Sequence, residues 1–573
     1  MARARRSNPR HDGDNNVRYG LRRRKQNTPG SSCITPTRST RAHPQLMLDD
    51  GLHYENLPPT PPVTPQKGSP DSILVSDCHV MAEGRPNIKH LPPEIIQEIA
   101  KYLPDDQDAV AYAQLCKVTW AWMNDSEYRR RFLVLYDDIE GSDRVQLAKQ
   151  YKARAKIARQ YVRFDQGLEN GQAACLVFLR TLIIESNGQK IVAADGSSTV
   201  IGRNFEFMNE YANRADRIGQ SGGTNILDAM CRTESLFRSA KHSRSSGKTA
   251  SLPLLIQLCL LHVSLDPHPG SPLSGAQQRA RMSRLHHCHE AQEQVYKCFS
   301  HEPIFLGGSR NEINVIWLLH VANFFKFHLL KDDSEGIYAD GYINMEKGNL
   351  PRAWTGRLKN GAQQLSKRWK GTYCYLPEWE LQVARSKSCD FLVDVTGDDN
   401  DGFQDLTLFF DIQKHPRLHF PAQAETILHG KPRAPFTDPE SGERKWPEVQ
   451  DFFGLGFDGR HYHFNGRMHT LPPQQAIPGF QRVSMMMYLP QSQGPHANPS
   501  TQLWAYEGLV LPGGQLMLGR WWSPVRGVLA DGGTYCGPFI FWAVDDAGLE
   551  DRSIATVDAA LQFLDSVISS PAW

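Results

Sequence analysis

Ile88-Lys-His-Leu-Pro-Pro-Glu-Ile-Ile-Gln-Glu-Ile-Ala-Lys-Tyr-Leu-Pro104 reads as one short amphipathic helix with its start and stop written into it. Proline suits the first helical positions, where no backbone donor is needed. Leu91-Pro92-Pro93-Glu94 therefore marks the start, with Glu94 at the positive end of the helix dipole. Ile95, Ile96, Ile99, Tyr102 and Leu103 follow at helical spacing and make one wide apolar stripe. Pro104-Asp105-Asp106 ends the helix. A second helical stretch carries Val110, Ala113, Leu115, Val118 and Trp120, and a third carries Tyr128, Phe132 and Leu135. A module of about 45 residues is too small to bury a strong core of its own. It nevertheless offers more apolar side chains than three short helices can hide, which is the make-up of a docking surface. The plain alternative is a helical subdomain packed on the rest of the chain.

Two signatures within this stretch, the Leu-Pro-x-Glu opening followed by Ile95-Ile96 and the later Leu115-Cys116-x(3)-Trp120, resemble an F-box. That resemblance implies a module that plugs a substrate receptor into a Skp–cullin ubiquitin ligase. It implies further that Leu91, Pro92, Ile95, Ile96, Ile99, Leu103, Leu115 and Trp120 divide between internal packing and contact with a Skp-type adaptor, and through it a cullin. The chain departs from the pattern twice. Gln107-Asp108 stands where an apolar residue is usual, and Lys117 alone represents the usual arginine-rich approach to the tryptophan.

The remainder divides by texture. Residues 1–86 are expected to be a disordered, basic and proline-rich tail. Nine prolines fall between Thr28 and Pro70 with few large apolar residues, so ordering this stretch buries too little to offset the entropy lost. Its Ser/Thr-Pro pairs at Thr28, Thr35, Thr60, Thr64 and Ser69 are candidate phosphorylation sites, and Leu57-Pro-Pro-Thr60-Pro-Pro resembles a phosphodegron. Residues 139–350 read as a mostly helical connector with long loops. Its helical cores are Ala173–Glu185, Leu252–Leu265, Gln292–Phe299 and Glu312–Leu330, and much of Asn187–Ala250 is expected to be loop. From 365 to 545 the pattern turns to period two and aromatic. Strands are predicted at Trp369–Leu376, Leu406–Ile412, Val483–Leu489 and Pro538–Val544. A hairpin is predicted at His461–Thr470, turning on Asn465-Gly466, and another at Leu503–Trp522, turning on Pro512-Gly513-Gly514. Strands at this density indicate an antiparallel barrel or sandwich. Residues 553–573 read as a closing helix and tail. The predicted fold class is α+β: disordered N-terminal tail, three-helix F-box at 87–135, helical connector, C-terminal antiparallel β-barrel.

Trp369-Lys-Gly371-x-Tyr373, Phe453-Gly-x-Gly456-x-Asp458, Tyr506-Glu507-Gly508, Gly519-Arg520-Trp521-Trp522 and Gly537-Pro538-Phe539 occur in that order. The series is similar to the C-terminal β-barrel of fungal F-box proteins, and more loosely to the barrel of F-box only protein 31. Together with the F-box the resemblance covers residues 88–135 and 365–545, roughly 40% of the chain. It implies a barrel that captures a protein substrate, as a peptide segment or a chain end. The residues agree in kind. Trp504, Tyr506, Gly508 and Val510 share one strand face and Glu507 the other, while Arg520 and Trp522 share a face with Trp521 opposite. Trp504, Tyr506, Arg520, Trp521 and Trp522 are thus the candidate substrate-binding residues, since an arginine beside aromatic rings binds carboxylates well. The competing reading packs the same side chains into the barrel and pairs Arg520 with Glu507 or Asp531.

Charge and cysteine usage set further bounds. The net charge is +2. Residues 1–30 hold nine Arg and Lys against two Asp, so the rest of the chain is about −5, and no basic face for nucleic acid is expected. Eleven scattered cysteines, an odd number, and an arginine-rich start without an apolar core favour a reducing compartment, nuclear and/or cytoplasmic. Leu252–Leu265 is too short to span a membrane, and Ile313–Leu330 carries Asn314, His320, Asn323, Lys326 and His328; both read as core helices. His461 and His463 share a strand face, but a turn at Asn465-Gly466 places His469 opposite them, so no metal site is expected. His286-His287-Cys288-His289 lacks a Cys-x(2)-Cys partner. No nucleophile elbow, phosphate loop or dinucleotide fingerprint is present. The expectation is a noncatalytic receptor subunit with no cofactor and no catalytic residue. Its rival is a small-ligand or metal-dependent barrel whose F-box governs its own turnover.

Overall fold

A computed structural model describes residues 88, 91–103, 106–159, 170–192, 198–213, 251–267, 288–297, 303–331, 336–363, 365–386, 402–410, 420–421, 424–425, 428, 434–438, 441–457, 461–489, 503–524 and 533–544. The expectations for the N-terminal tail, the C-terminal helix and His286-His287 lie outside these residues, as does Asp531.

The chain's first described layer is a small helical head. Helix α1 (Pro93–Lys101) has Pro92 as its N-cap and turns Ile96 and Ala100 inward. Helix α2 (Asp106–Gln114) contributes Ala109, Tyr112 and Ala113, and Met123 completes a small separate core. The second predicted stretch is in fact two helices. Cys116 is extended (φ −161°, ψ 169°) and its N–H donates to the Thr119 hydroxyl at 3.1 Å, which starts helix α3 (Lys117–Trp122) afresh. A π-helical turn (Met123–Glu127) leads into α4 (Tyr128–Leu135). Tyr128 and Phe132 of α4 belong to the main core of the molecule, so α4 joins the head to the connector rather than completing the head. Arg131 bridges the two. It is buried, pairs with Glu127 at 2.9 Å, and donates to the carbonyl of Leu103 at 3.0 Å.

Helices α5 (Arg144–Arg159), α6 (Asn170–Glu185) and α7 (Arg203–Asn213) continue the connector. Between α6 and α7 lies a two-stranded hairpin, β1 (Lys190–Val192) and β2 (Ser198–Ile201), so the start of the stretch expected to be loop is ordered structure. Helices α8 (Leu252–Cys259), α9 (Leu261–Leu265) and α10 (Cys288–Val295) follow, then the short hairpin β3 (Phe305–Leu306) and β4 (Glu312–Ile313). Helix α11 (Val315–Leu330) has 13 buried residues and no polar face. A helix apolar all round is stable only when enclosed, and both apolar stretches are core helices as expected. Among the described residues no helix is long and apolar enough to cross a membrane. Helix α12 (Ala339–Ile343) and the irregular segment 350–358 then lead to the barrel.

Helix α5 contains no acidic residue and exposes Arg144, Lys149, Lys152, Lys156 and Arg159. A net charge averages over the chain and cannot show that one helix face collects the cations.

Eight strands form the closed antiparallel barrel: β5 (Arg368–Tyr373), β6 (Gln404–Phe409), β9 (Val449–Phe457), β10 (His461–Thr470), β11 (Gln481–Tyr488), β12 (Leu503–Val510), β13 (Leu516–Trp522) and β14 (Cys536–Ala543). Each pairs with the next, and β14 returns to β5, an up-and-down order that leaves no open edge. A helix α13 (Glu378–Ser386) and a separate hairpin of β7 (Phe436–Thr437) and β8 (Arg444–Lys445) are inserted between strands. The β12–β13 turn is as predicted, with Gly513 (φ 88°) and Gly514 (φ 67°) taking the left-handed conformations it needs.

The Asn465-Gly466 turn is not formed. His461–Thr470 is a single strand paired along its length with β9 and β11. Gly466 is there for space, because a side chain at 466 would overlap the Phe452 ring. Asn465 is held in the strand by the Tyr488 hydroxyl at 2.7 Å. Strand β9 was not expected as a strand, because Gly454 and Gly456 break its apolar alternation.

Three histidines, His328 and His463 buried and His262 half-buried, carry a pH dependence. Burial lowers the pKa of His262 to about 4 and of His328 to about 3. That of His463 falls to about 4 through burial and the charge of His461. Each binds a proton more weakly folded than unfolded, so the unfolded chain gains protons first as pH falls from the usual histidine range of about 6.5. Stability should therefore decrease as pH drops through that range, and His328→Leu should flatten the slope of denaturant midpoint against pH. An unchanged slope in the variant would show that His328 titrates normally in the fold.

Candidate functional site

The head leaves much of its apolar surface uncovered. Ile96 points into the small core, while Leu91, Ile99 and Leu103 are half-buried against it. Pro92 is exposed, as are Ile95 (46%), Leu115 (61%) and Trp120 (58%). Tyr102, Val110 and Trp122 add to the exposed apolar surface. The local cause is geometric. On α1, Ile95 and Ile96 are adjacent and turn about 100° apart, so only one of them can face the core. The break at Cys116 does the same for the next element. It ends α2 just before Leu115 and starts α3 on a new axis, with Thr119 buried and Trp120 turned out.

The five barrel candidates are not brought together. They lie in three different environments. Tyr506 and Trp521 point into the barrel. The Trp521 Nε1–H donates to the carbonyl of Cys374 at 3.2 Å, and its ring meets Tyr373 (5.9 Å) and Tyr535 (5.6 Å). The interior is filled by side chains from all eight strands, among them Trp369, Leu408, Phe452, Phe464, Met485, Tyr506, Met517 and Phe541. Gly508 and Gly519 make room for the Phe539 ring. Trp504 shares the Tyr506 face at the same end of the barrel as Trp521. It is half-buried, as are Tyr373, Tyr375 and Tyr535.

Arg520 lies outside the barrel and is 0% exposed. Its guanidinium stacks on the Trp317 ring of α11 at 4.5 Å, and its cross-strand neighbour is Glu507. Glu507 is itself buried, pairs with Arg482, and has Arg310 at 3.8 Å. Arg482 lies over the Phe305 ring and donates to the carbonyl of Leu428 at 2.6 Å. This charged cluster is sealed between the barrel wall and the connector. The expectation that Arg520 reaches a substrate is therefore corrected: as placed, it packs the wall against α11, next to the carboxylate named as its alternative partner. Trp522 is on the same outer face but further along, half-buried against Met486, Tyr488, Leu503 and Ala505. Trp317 was missed in the sequence because its helix reads only as apolar.

The histidine pair also sits differently than expected. On one straight strand His461, His463 and His469 share a face, since no turn reverses the chain between them. His463 is buried and stacks on Tyr488 (5.8 Å, 18°), and His461 lies beside Phe457 at 5.0 Å. Among the described residues no group of three or more His, Cys, Asp or Glu is placed to hold a metal ion.

No family model matches the chain, and neither a curated protein nor a solved structure matches it.

Packing of the interior against glycine makes a direct prediction. Gly466→Val should drive a branched side chain into Phe452 and cost about 3 kcal/mol or more, read as a lowered denaturation midpoint. The pair Gly466→Ala with Phe452→Leu should recover part of that loss. A Gly466→Val variant as stable as the parent would show that the interior has room to spare.

Proposed function

We propose that the chain is a noncatalytic substrate receptor of a Skp–cullin–F-box ubiquitin ligase, with the helical head as the adaptor-docking module. The observation that carries this reading is the exposure of Ile95, Leu115 and Trp120 on a head whose own core consists of Ile96, Ala100, Ala109, Tyr112, Ala113 and Met123. A water-exposed apolar surface of this kind costs free energy unless a partner covers it. The F-box resemblance names a Skp-type adaptor as that partner, with a cullin beyond it. Residues once taken together now divide by role. Ile96 packs internally, Ile95, Pro92, Leu115 and Trp120 meet the adaptor, and Leu91, Ile99 and Leu103 support both.

The barrel is the substrate-binding part of the same reading. Its interior is lined by apolar and aromatic side chains that pack on one another. The support for peptide capture is the half-buried aromatic group at one end, Trp504 with Tyr373, Tyr375 and Tyr535. Aromatic side chains half out of solvent bind partner segments with little loss of conformational freedom. The gain from such an assembly is proximity. A tethered lysine meets the ubiquitin thioester at a raised effective concentration. A protein with this role works in the nucleus and/or cytoplasm, where its adaptor is found.

In an adaptor pull-down, Ile95→Asp with Leu115→Asp should abolish capture, while Ile96→Asp should instead unfold the head. Undiminished capture by the exposed double variant refutes the docking role. On the barrel, Trp504→Ala should keep the adaptor and lose co-purifying ubiquitinated proteins; an unchanged set of captured proteins would exclude that end of the barrel.

A further inference from the structure

The exposed cations of α5 are organised. Lys149, Lys152, Lys156 and Arg159 recur at steps of three and four, so they share one stripe of the helix with Val145, itself 59% exposed. Leu147, Tyr151 and Ile157 face the core on other sides. Beside the stripe, α4, α5 and α7 enclose an open cleft of about 510 Å³. Leu103, Val134, Leu135, Ala155, Ala158 and Phe207 form its apolar lining, and Glu210 is its acid; of its rim cations Lys101 pairs with Glu98 and Arg130 with Glu127, so the charge offered to a partner comes from Arg159 and the α5 lysines beside it. Val134 is 58% and Leu135 39% exposed. Arg159, the last cation of the stripe, lines the cleft together with Val134 and Leu135.

We propose that this basic-rimmed apolar cleft docks an acidic amphipathic helix of a partner protein. Leucine-type side chains of that helix enter the cleft, and carboxylates on its flanks meet Lys152, Lys156 and Arg159. This is helix-in-groove recognition, with the apolar floor supplying affinity and the cations fixing orientation and encounter rate. Charge complementarity selects the acidic partner. Nucleic acid suits the same cations but not the floor, because a phosphate backbone gains nothing from Val134 and Leu135. The rings of Tyr136, Phe207 and Tyr211 are moreover engaged with one another, at 4.9 Å and 5.9 Å. The site goes beyond the adaptor reading, since neither Ile95, Leu115 nor Trp120 lines the cleft.

The full chain should be titrated by fluorescence anisotropy with a labelled peptide of about 18 residues. The peptide carries leucine at i, i+3, i+4 and i+7 and glutamate on its flanks. A scrambled peptide of the same composition and a single-stranded RNA of similar length serve as competitors. The amphipathic peptide should bind at least tenfold more tightly than the scrambled one, and more weakly as salt rises. Lys152→Glu/Lys156→Glu/Arg159→Glu and, separately, Val134→Asp/Leu135→Asp should each weaken it at least tenfold. All five residues are at the surface, and an unchanged thermal midpoint confirms that the variants fold. Equal binding of the scrambled peptide overturns the proposal, as does absence of peptide binding. RNA binding that exceeds the peptide's and survives Val134→Asp/Leu135→Asp identifies a polyanion surface instead and also overturns it. Loss of adaptor capture in the Ile95/Leu115 variant with peptide binding intact, or the reverse, separates this site from the docking head.

Discussion

Helix α11 is apolar around its whole circumference, and enclosing it is what ties the molecule together. It packs on α8, α10 and α12 on the connector side and on β13 and β14 on the other. One continuous hydrophobic cluster runs from Tyr128 on α4, through α11, to Leu518 and Trp542 on the outer wall of the barrel. The connector is therefore no spacer. Removing it would strip the wall of β12–β14 and expose Leu509, Leu518, Ile540 and Trp542 to water. Asn314 sets where the helix begins, by accepting from the Trp317 N–H at 3.2 Å and donating to the carbonyl of Pro303 at 2.9 Å.

The charges trapped in that contact explain why a barrel rich in arginine and tryptophan can be structural. A buried charge is tolerated when it is paired and its hydrogen-bonding groups are met. Glu507 with Arg482 meets the first condition and Arg520 lies over the Trp317 ring, but Arg482 Nε and Arg520 Nε and Nη2 are buried and make no hydrogen bond among the described residues, so the second is met only in part. Such a cluster contributes little net stability against an apolar equivalent, but it penalises any other way of seating the helix. The second wall charge, Arg467, pairs with Asp451 and Glu425 and lies over Phe420, and it plays the same part under the segment that includes Phe420 and Leu428.

The head follows a different economy. Its core is small, its helices short, and its link to the body runs through α4 and the hydrogen bond from Arg131 to the Leu103 carbonyl. Ile95, Leu115 and Trp120 stay in water in this chain. The contrast with α11 is informative, since large apolar side chains occur in both segments. One is covered by its own chain, and the other is not.

Helix α1, the sealed character of 315–330 and the glycine turn at Pro512–Gly514 were legible in the sequence, because each depends on local rules. Proline at N1, apolar residues all round, and glycine at positive φ act within a few residues of themselves. The period-two strands from 366 onward likewise announced an antiparallel sheet. Three things were left for the tertiary structure to decide. Asn465-Gly466 has the strongest local turn signal in the chain, but a ring from the neighbouring strand, Phe452, determines what Gly466 is for. Arg520, Trp521 and Trp522 are consecutive, but barrel closure and α11 send them to a sealed wall, a filled interior and a half-covered flank. Which of the apolar residues at 95 and 96 faces out depends on where α2 lies. Local propensity acts through neighbours in sequence, whereas burial is set by neighbours in space.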